Sequence, residues 1–460
     1  MKNSFEEGNY QTISKFESML KTNSHLFFDS NEFEEIICYY LDIGNLSLAK
    51  KANSLGLKQH PGSIFLILIK IEILLLENNV MKADKLLNKI YLKDPTNSEI
   101  IIQKSKILSK QKQHEKSIKL LKNIDKSSVL YYDAISYIGN EYIFLEDFEN
   151  AKINFLKCLK IDNSDTSILN KIIFCFNTLN KKEETIQFLN DFIEANPYCE
   201  IAWHHLGKQY AKNYDYNKAL SAFEFAIISD ESFEGAYIEM GKVLEKLKKF
   251  NEAIEKYKIS IGLNGPNSFS FYRIGRCHHK LGNRDFALNY YKKTIDNDPL
   301  HANSLMKIAK YYYKKKYFKK SKKYLDKAVD IDSDKIKYLL FNVKVLGRLN
   351  QFEEFEKAFN RVLQSKELNF NSLIFLVKTL IRFDKKLNFQ IKFLNSIESI
   401  SDKYSGEIFY LLSALNFCNK KEIKGLFFLK NGYSKAPDKY NFYKKTFKNL
   451  PKLKYLKTLL

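Results

Sequence analysis

Six basic residues occupy one position of a repeating frame. Lys208, Lys242, Arg276, Lys310, Lys344 and Lys378 follow one another at intervals of 34 residues. A second row runs four residues behind: Lys212, Lys246, Lys280, Lys314, Arg348 and Arg382. An isolated surface cation contributes little, but a row along one face attracts polyanions, speeds encounter and makes binding steeply dependent on salt. The chemistry on offer is electrostatic capture of an acidic segment, an acidic C-terminal tail or a phosphate backbone. His204 and Tyr272 stand beside the rows and can stack on or cradle a ligand group.

Other constellations are weaker. The sequence has no Gly-rich phosphate loop and no HExxH motif. The pairs His204–His205 and His278–His279, the second beside Cys277, invite a metal reading. They fall at different positions of the frame, and His278 holds a column where other repeats carry Tyr or Leu, so packed or surface histidines explain them better. Cys38, Cys158, Cys175, Cys199, Cys277 and Cys418 show no CxxC spacing and read as free thiols of a reducing compartment. No metal and no cofactor is expected.

The elements that position the cations come from self-similarity. Repeats counted from residues 30, 64, 98, 132, 166, 200, 234, 268, 302 and 336 need no insertion. The fourth position is large in ten of ten repeats, and Trp203 is expected in the core there. The twentieth is small in nine of ten, Phe355 being the exception, and the twenty-fourth is large in all but Asn53. Pro61, Pro95, Pro197 and Pro299 share the thirty-second column. Positions 4, 7, 8 and 11 make one apolar helical stripe, and positions 20, 24 and 27 make a second after a short polar turn. Small residues at 8 and 20 let the two helices approach, and proline ends the second helix. One helix pair cannot bury its own apolar faces, so the pairs must stack.

The stretch Trp203, Leu206, Gly207, Tyr210, Ala219, Phe223, Ala226 resembles the signature of the tetratricopeptide repeat (TPR) family, whose period is also 34. The resemblance covers residues 30–369 as ten contiguous repeats and 370–437 as two degenerate ones. Residues 1–29 are expected to form an N-terminal capping helix region, and 438–460 a basic C-terminal capping helix. The resemblance implies an all-α fold, a right-handed superhelical α-solenoid of helix-turn-helix repeats. In that family positions 2, 5, 9, 12 and 13 face a concave groove. Both basic rows then line it, and Lys208, Lys242, Arg276 and Lys310 are expected to be exposed. Asn is the family's commoner residue at position nine, which makes the row of cations there more telling. The family's carboxylate clamp is not present: Asn140 fits one of its positions, but Ser136, Lys171, Ile201 and His205 stand at the others.

Composition bounds the function. The chain has 460 residues, 75 Lys+Arg against 53 Asp+Glu and a formal charge of +22. Lysine supplies 69 of the basic residues and arginine 6, beside 41 Asn. Lys and Asn share A-rich codons, so an AT-rich coding sequence accounts for part of the excess. The apolar stretch 63–76 is interrupted by Lys70 and Glu72 and is too short to span a bilayer. The N-terminus lacks a basic region followed by an apolar run, and a cytoplasmic protein is expected. The function expected is a non-enzymatic scaffold or adaptor that binds an acidic or extended protein segment. The alternative is a nucleic-acid-binding solenoid using the same cations on phosphates, which scarce arginine disfavours. The basic tail Lys439–Leu460 offers a third and weaker option, contact with a membrane surface.

Overall fold

The computed structural model describes residues 2–22, 25–381, 401–418 and 421–447. Every regular element among them is helical, with twenty-five α-helices and one short 3-10 helix. The protein is an all-α solenoid of antiparallel helix pairs. First helices begin at Ser30, Ile64, Ser98, Thr166, Glu200, Glu234, Ser268, Ala302 and Ile336, the first position of the frame; the fourth begins one residue early, at Tyr131. Second helices begin at the seventeenth position in all ten cases, from Leu46 to Phe352.

Local chemistry sets these boundaries. The residue before a first helix accepts from its exposed N–H groups at Ser63, Asn97, Asp165 and Asn267, and Asp29 forms a capping box with Glu32. The turn between the helices reverses through one left-handed residue. It falls at the fifteenth position in every repeat: Gly44, Asn78, Lys112, Glu146, Asn180, Tyr214, Lys248, Gly282, Lys316 and Asn350, with φ between 58° and 87°. Two of the ten are glycine and three are asparagine, which enter this region readily; packing holds the other five in a backbone region that L-residues avoid.

The two helices of a pair meet at positions 8, 20 and 24. Gly139, Gly207, Gly241 and Gly275 each lie under the aromatic ring at position 24 of their own repeat. A Cβ on Gly207 would stand 2.5 Å from the Phe223 ring, closer than atoms pack. Where position 24 is leucine, position 8 is larger, as in Ile71 with Leu87 and Ile173 with Leu189. Phe359 departs from this rule, sharing its repeat with Val343. Asn53, the polar exception at position 24, is buried and donates its amide to the Leu66 carbonyl of the next repeat at 2.8 Å. Ser321 at position 20 is satisfied in the same way, donating to the Ala309 carbonyl at 2.8 Å.

Two compact units divide the chain, residues 1–231 and 232–460. In the first, apolar clusters run from Ile13 and Phe16 through Leu87 and Ile107 to Phe155 and Leu206. In the second, a cluster around Tyr291 and Ile308 is followed by a large one from Leu305 to Phe447. Trp203, expected in the core, is half-buried; its ring stacks on Phe225 at 4.6 Å and its N–H donates to the Pro197 carbonyl. Among the described residues no helix is long and apolar enough to cross a membrane.

Candidate functional site

Residues of one column in successive repeats are neighbours, because each first helix packs beside the next. The charge in the adjacent repeat therefore decides whether a cation is available. In the first unit several are met by acid. Lys106 lies 3.2 Å from Glu72, 34 residues earlier. Burial alone would push Lys106 down, but Glu72 and Tyr137 together outweigh it and raise its pKa. His114 pairs with the buried Glu141 at 2.7 Å, and Lys181 with Glu149 at 2.6 Å. Nearer the N-terminus the same face turns acidic: burial and then Glu99 and Glu35 raise Glu34, and burial and then Glu34, Asp42 and Glu72 raise the Cys38 thiol. A cavity of about 410 Å³ here has Glu72, Lys106, Asn140 and Glu141 on its wall, so its charge is mixed.

At the end of this unit stand three residues of the sequence reading. Lys208 is half-buried. Lys212 donates to the Asn177 amide oxygen at 2.8 Å, and burial followed by Lys208 and Lys182 lowers its pKa. The His204 ring packs 5.6 Å from His205 and 5.9 Å from Phe223. His205 is driven down to about 3 by burial and then by His204, Lys208 and Lys212, and its neutral ring meets Asn170 at 2.6 Å.

In the second unit the first cations of the row are also tied. Lys242 pairs with Glu239 at 2.8 Å and lies over the Phe269 ring. Glu245 gathers three partners: Arg273 at 3.2 Å, Arg276 at 3.5 Å, and the Tyr257 hydroxyl, which donates at 2.8 Å. Tyr272 is half-buried against Tyr291 and His301, under Arg276. Lys246, Lys280 and Lys378 are exposed. Arg382 lies outside the described residues, as does the tail from residue 448.

The next repeats differ. Six helices build this region: α16 (Ser268–Lys280), α17 (Arg284–Asn297), α18 (Ala302–Lys314), α19 (Phe318–Ile331), α20 (Ile336–Leu349) and, after α21 (Phe352–Leu363), α22 (Phe370–Ile381). A cavity of about 600 Å³ opens between α18, α20 and α22. Lys310, Lys314, Lys337 and Lys344 stand on its wall, with Tyr313, Leu340, Phe341 and Phe375 as an apolar lining and Asn369 and Asn371 at one side. Among the described residues no Asp or Glu lines it. Glu367 lies close by, where it accepts from the Ile336 N–H at the start of α20. Lys310 lies over the Phe341 ring and Lys344 over Tyr313. Burial, then Lys337, Lys307, Lys344 and Lys314, push Lys310 down to about 8. Such a cluster is costly, since each ammonium loses water and faces like charge.

Four of the cations expected to be exposed, Lys208, Lys242, Arg276 and Lys310, are instead half-buried. For Lys242 and Lys310 the reason is that the ammonium groups lie over aromatic rings of the following repeat. Of the residues singled out in sequence, the cavity brings together Lys310, Lys314 and Lys344. It adds Lys337, which the two rows omit. Lys337 was legible as the one cation of the second column, a groove-facing position in the family. His278 is half-buried and stacks on Phe286 and Tyr290, both at 5.5 Å. Among the described residues no group of three or more His, Cys, Asp or Glu is placed to hold a metal ion.

A family model described as tetratricopeptide repeat matches residues 137–165 and 302–335, and a second of the same description matches 269–301. With helix pairs recurring every 34 residues around the matched segments, the chain carries tetratricopeptide repeats. Solved structures similar to it include YrrB, described as a TPR protein with an unusual peptide-binding site (24% identity, 40% of this chain and 95% of that one, TM-score 0.34). MamA is similar at 23% identity over 38% of this chain and 96% of its own, TM-score 0.33. Pseudomonas aeruginosa pilF is similar at 16% identity over 50% of this chain and 88% of its own, TM-score 0.35. No curated protein matches the chain.

Proposed function

We propose that the chain is a non-enzymatic interaction scaffold that captures an acidic protein segment in the cavity between α18, α20 and α22. One observation carries this reading: four lysines stand over an apolar lining with no carboxylate among them. The repeat family supports a protein partner. An exposed ion pair contributes about 0–1 kcal/mol. Lys310 is half-buried and crowded, so a bound carboxylate relieves repulsion as well as adding attraction. A large apolar side chain seated on Leu340 and Phe375 adds about 1.5–3 kcal/mol if fully buried. The segment recognised is therefore acidic with an apolar anchor, and the lysine rim sets its salt dependence.

Panning a random-peptide display library against the wild-type chain and a Lys337→Glu/Lys344→Glu variant tests this. Enrichment of peptides that combine Asp or Glu with a large apolar residue, lost in the variant, is the expected result. Enrichment that ignores acidic residues, or survives the double reversal, contradicts it. Saturable capture of nucleic acid at the same lysines, in place of peptide, would establish the alternative.

A further inference from the structure

Glu245 shows what an anion in this face looks like when the chain supplies it. Its carboxylate, at position 12 of one repeat, takes the Tyr257 hydroxyl from position 24 of the same repeat. It also takes Arg273 and Arg276 from positions 6 and 9 of the next. One repeat later every partner recurs and the carboxylate does not. Position 24 is Tyr291, positions 6 and 9 of the next repeat are Lys307 and Lys310, and position 12 is His279.

The consequence is visible. Tyr291 is 2% exposed, and its hydroxyl has no hydrogen-bond partner. An orphaned buried hydroxyl costs about 1–3 kcal/mol and calls for an acceptor. Tyr291 belongs to the wall of a second cavity, of about 490 Å³, between α16, α17 and α18. His279, Arg284, Lys307, Lys310 and Lys314 share that wall. Among the described residues no carboxylate lines it; Asp285, nearby, accepts from the Tyr311 hydroxyl. The charged neighbours that act on Lys307 are all cations, Lys337, Arg276, Lys280 and Lys314.

We propose that this cavity binds a phosphoryl dianion carried by the captured segment, seated where Glu245 places its carboxylate one repeat earlier. A carboxylate would satisfy Tyr291 and two cations. Arg284 and Lys314 add charge that a monoanion leaves unmatched, and the cavity exceeds a carboxylate in size. A phosphoryl group brings a second charge and a third acceptor oxygen. The site rests on the reading of this face as a partner groove, which it shares through Lys310 and Lys314.

The test titrates the full chain by calorimetry at fixed ionic strength with inorganic phosphate, acetate and the blocked tripeptide acetyl-Gly-phosphoSer-Gly-amide. Saturable binding of phosphate and of the phosphopeptide, each at least about tenfold tighter than acetate, is expected. His279→Glu restores the internal carboxylate and should abolish that binding while raising the melting temperature. Tyr291→Phe should weaken it several-fold without loss of stability, since it removes the orphaned hydroxyl. Phosphate no tighter than acetate, or unchanged binding in His279→Glu, overturns the site. Binding of inorganic phosphate but not of the phosphopeptide overturns the peptide-borne source. His279 and Tyr291 do not line the acidic-segment cavity, and Lys337 and Lys344 do not line this one, so the two readings fail separately.

Discussion

The face that carries Glu72 and Lys106 in the first unit and the face that carries Lys310 and Lys344 in the second are built from the same columns. In the first, an acid and a base one repeat apart close on each other at 3.2 Å, and the mixed cavity beside them is internally balanced. In the second, base follows base, and each lysine packs beside an aromatic ring instead of a carboxylate. A 34-residue period turns sequence neighbours one repeat apart into spatial neighbours. The sign of the residue that faces a cation, in its own column or a neighbouring one, then decides between a structural ion pair and a site with unspent charge. The second unit makes the same point over one repeat, where Glu245 neutralises Arg276 and His279 leaves Lys307 and Lys310 without a counter-ion.

The largest expected effect tests the frame common to both regions. Gly207→Val in the first unit and Gly275→Val in the second each drive a side chain into the ring at position 24. Each should cost about 1–3 kcal/mol in denaturant unfolding; unchanged stability would discredit the shared register. Glu72→Gln should make the first region resemble the second. It leaves Lys106 half-buried without its carboxylate, so a pKa now raised should fall, measured by NMR titration. The stability lost should not exceed about 1 kcal/mol.

A pH series sharpens the contrast from the other side. Lys310 holds its proton less tightly folded, at about 8, than an unfolded lysine does, at about 10.4. Between those values the unfolded chain binds more protons, so this group adds stability as pH rises from about 8 to 10. Affinity for an acidic segment should fall over the same interval. Lys310→Gln should flatten both profiles, and parallel profiles in variant and wild type would contradict the placement of Lys310. The smallest effect concerns the turns: Tyr214→Gly relieves a left-handed backbone at φ 65° and should stabilise by less than about 1 kcal/mol in thermal unfolding.

The fold was legible in the sequence because its period is fixed. The columns at 4, 20 and 24 gave the helix pairs and their spacing without an insertion, and even their exceptions have local reasons, as Asn53 shows. The left-handed turn at position 15 was not legible, because five of its ten residues, Lys112, Glu146, Tyr214, Lys248 and Lys316, have no preference for such a turn. The rows of cations were legible as rows. Which of them remain available was not, because Glu239 and Glu245 lie in columns read separately from the lysine and arginine they neutralise. The difference lies at position 12, Glu245 in one repeat and His279 in the next.

The most direct test measures the affinity of one acidic peptide, selected on the wild-type chain, for two charge-reversed variants at two salt concentrations. Lys208→Glu/Lys212→Glu alters the first unit, and Lys337→Glu/Lys344→Glu alters the second. The account predicts a loss of at least about tenfold for the second pair, shrinking as salt rises, and a change within about twofold for the first. Equal losses from the two pairs, or a larger loss from the first, would contradict it.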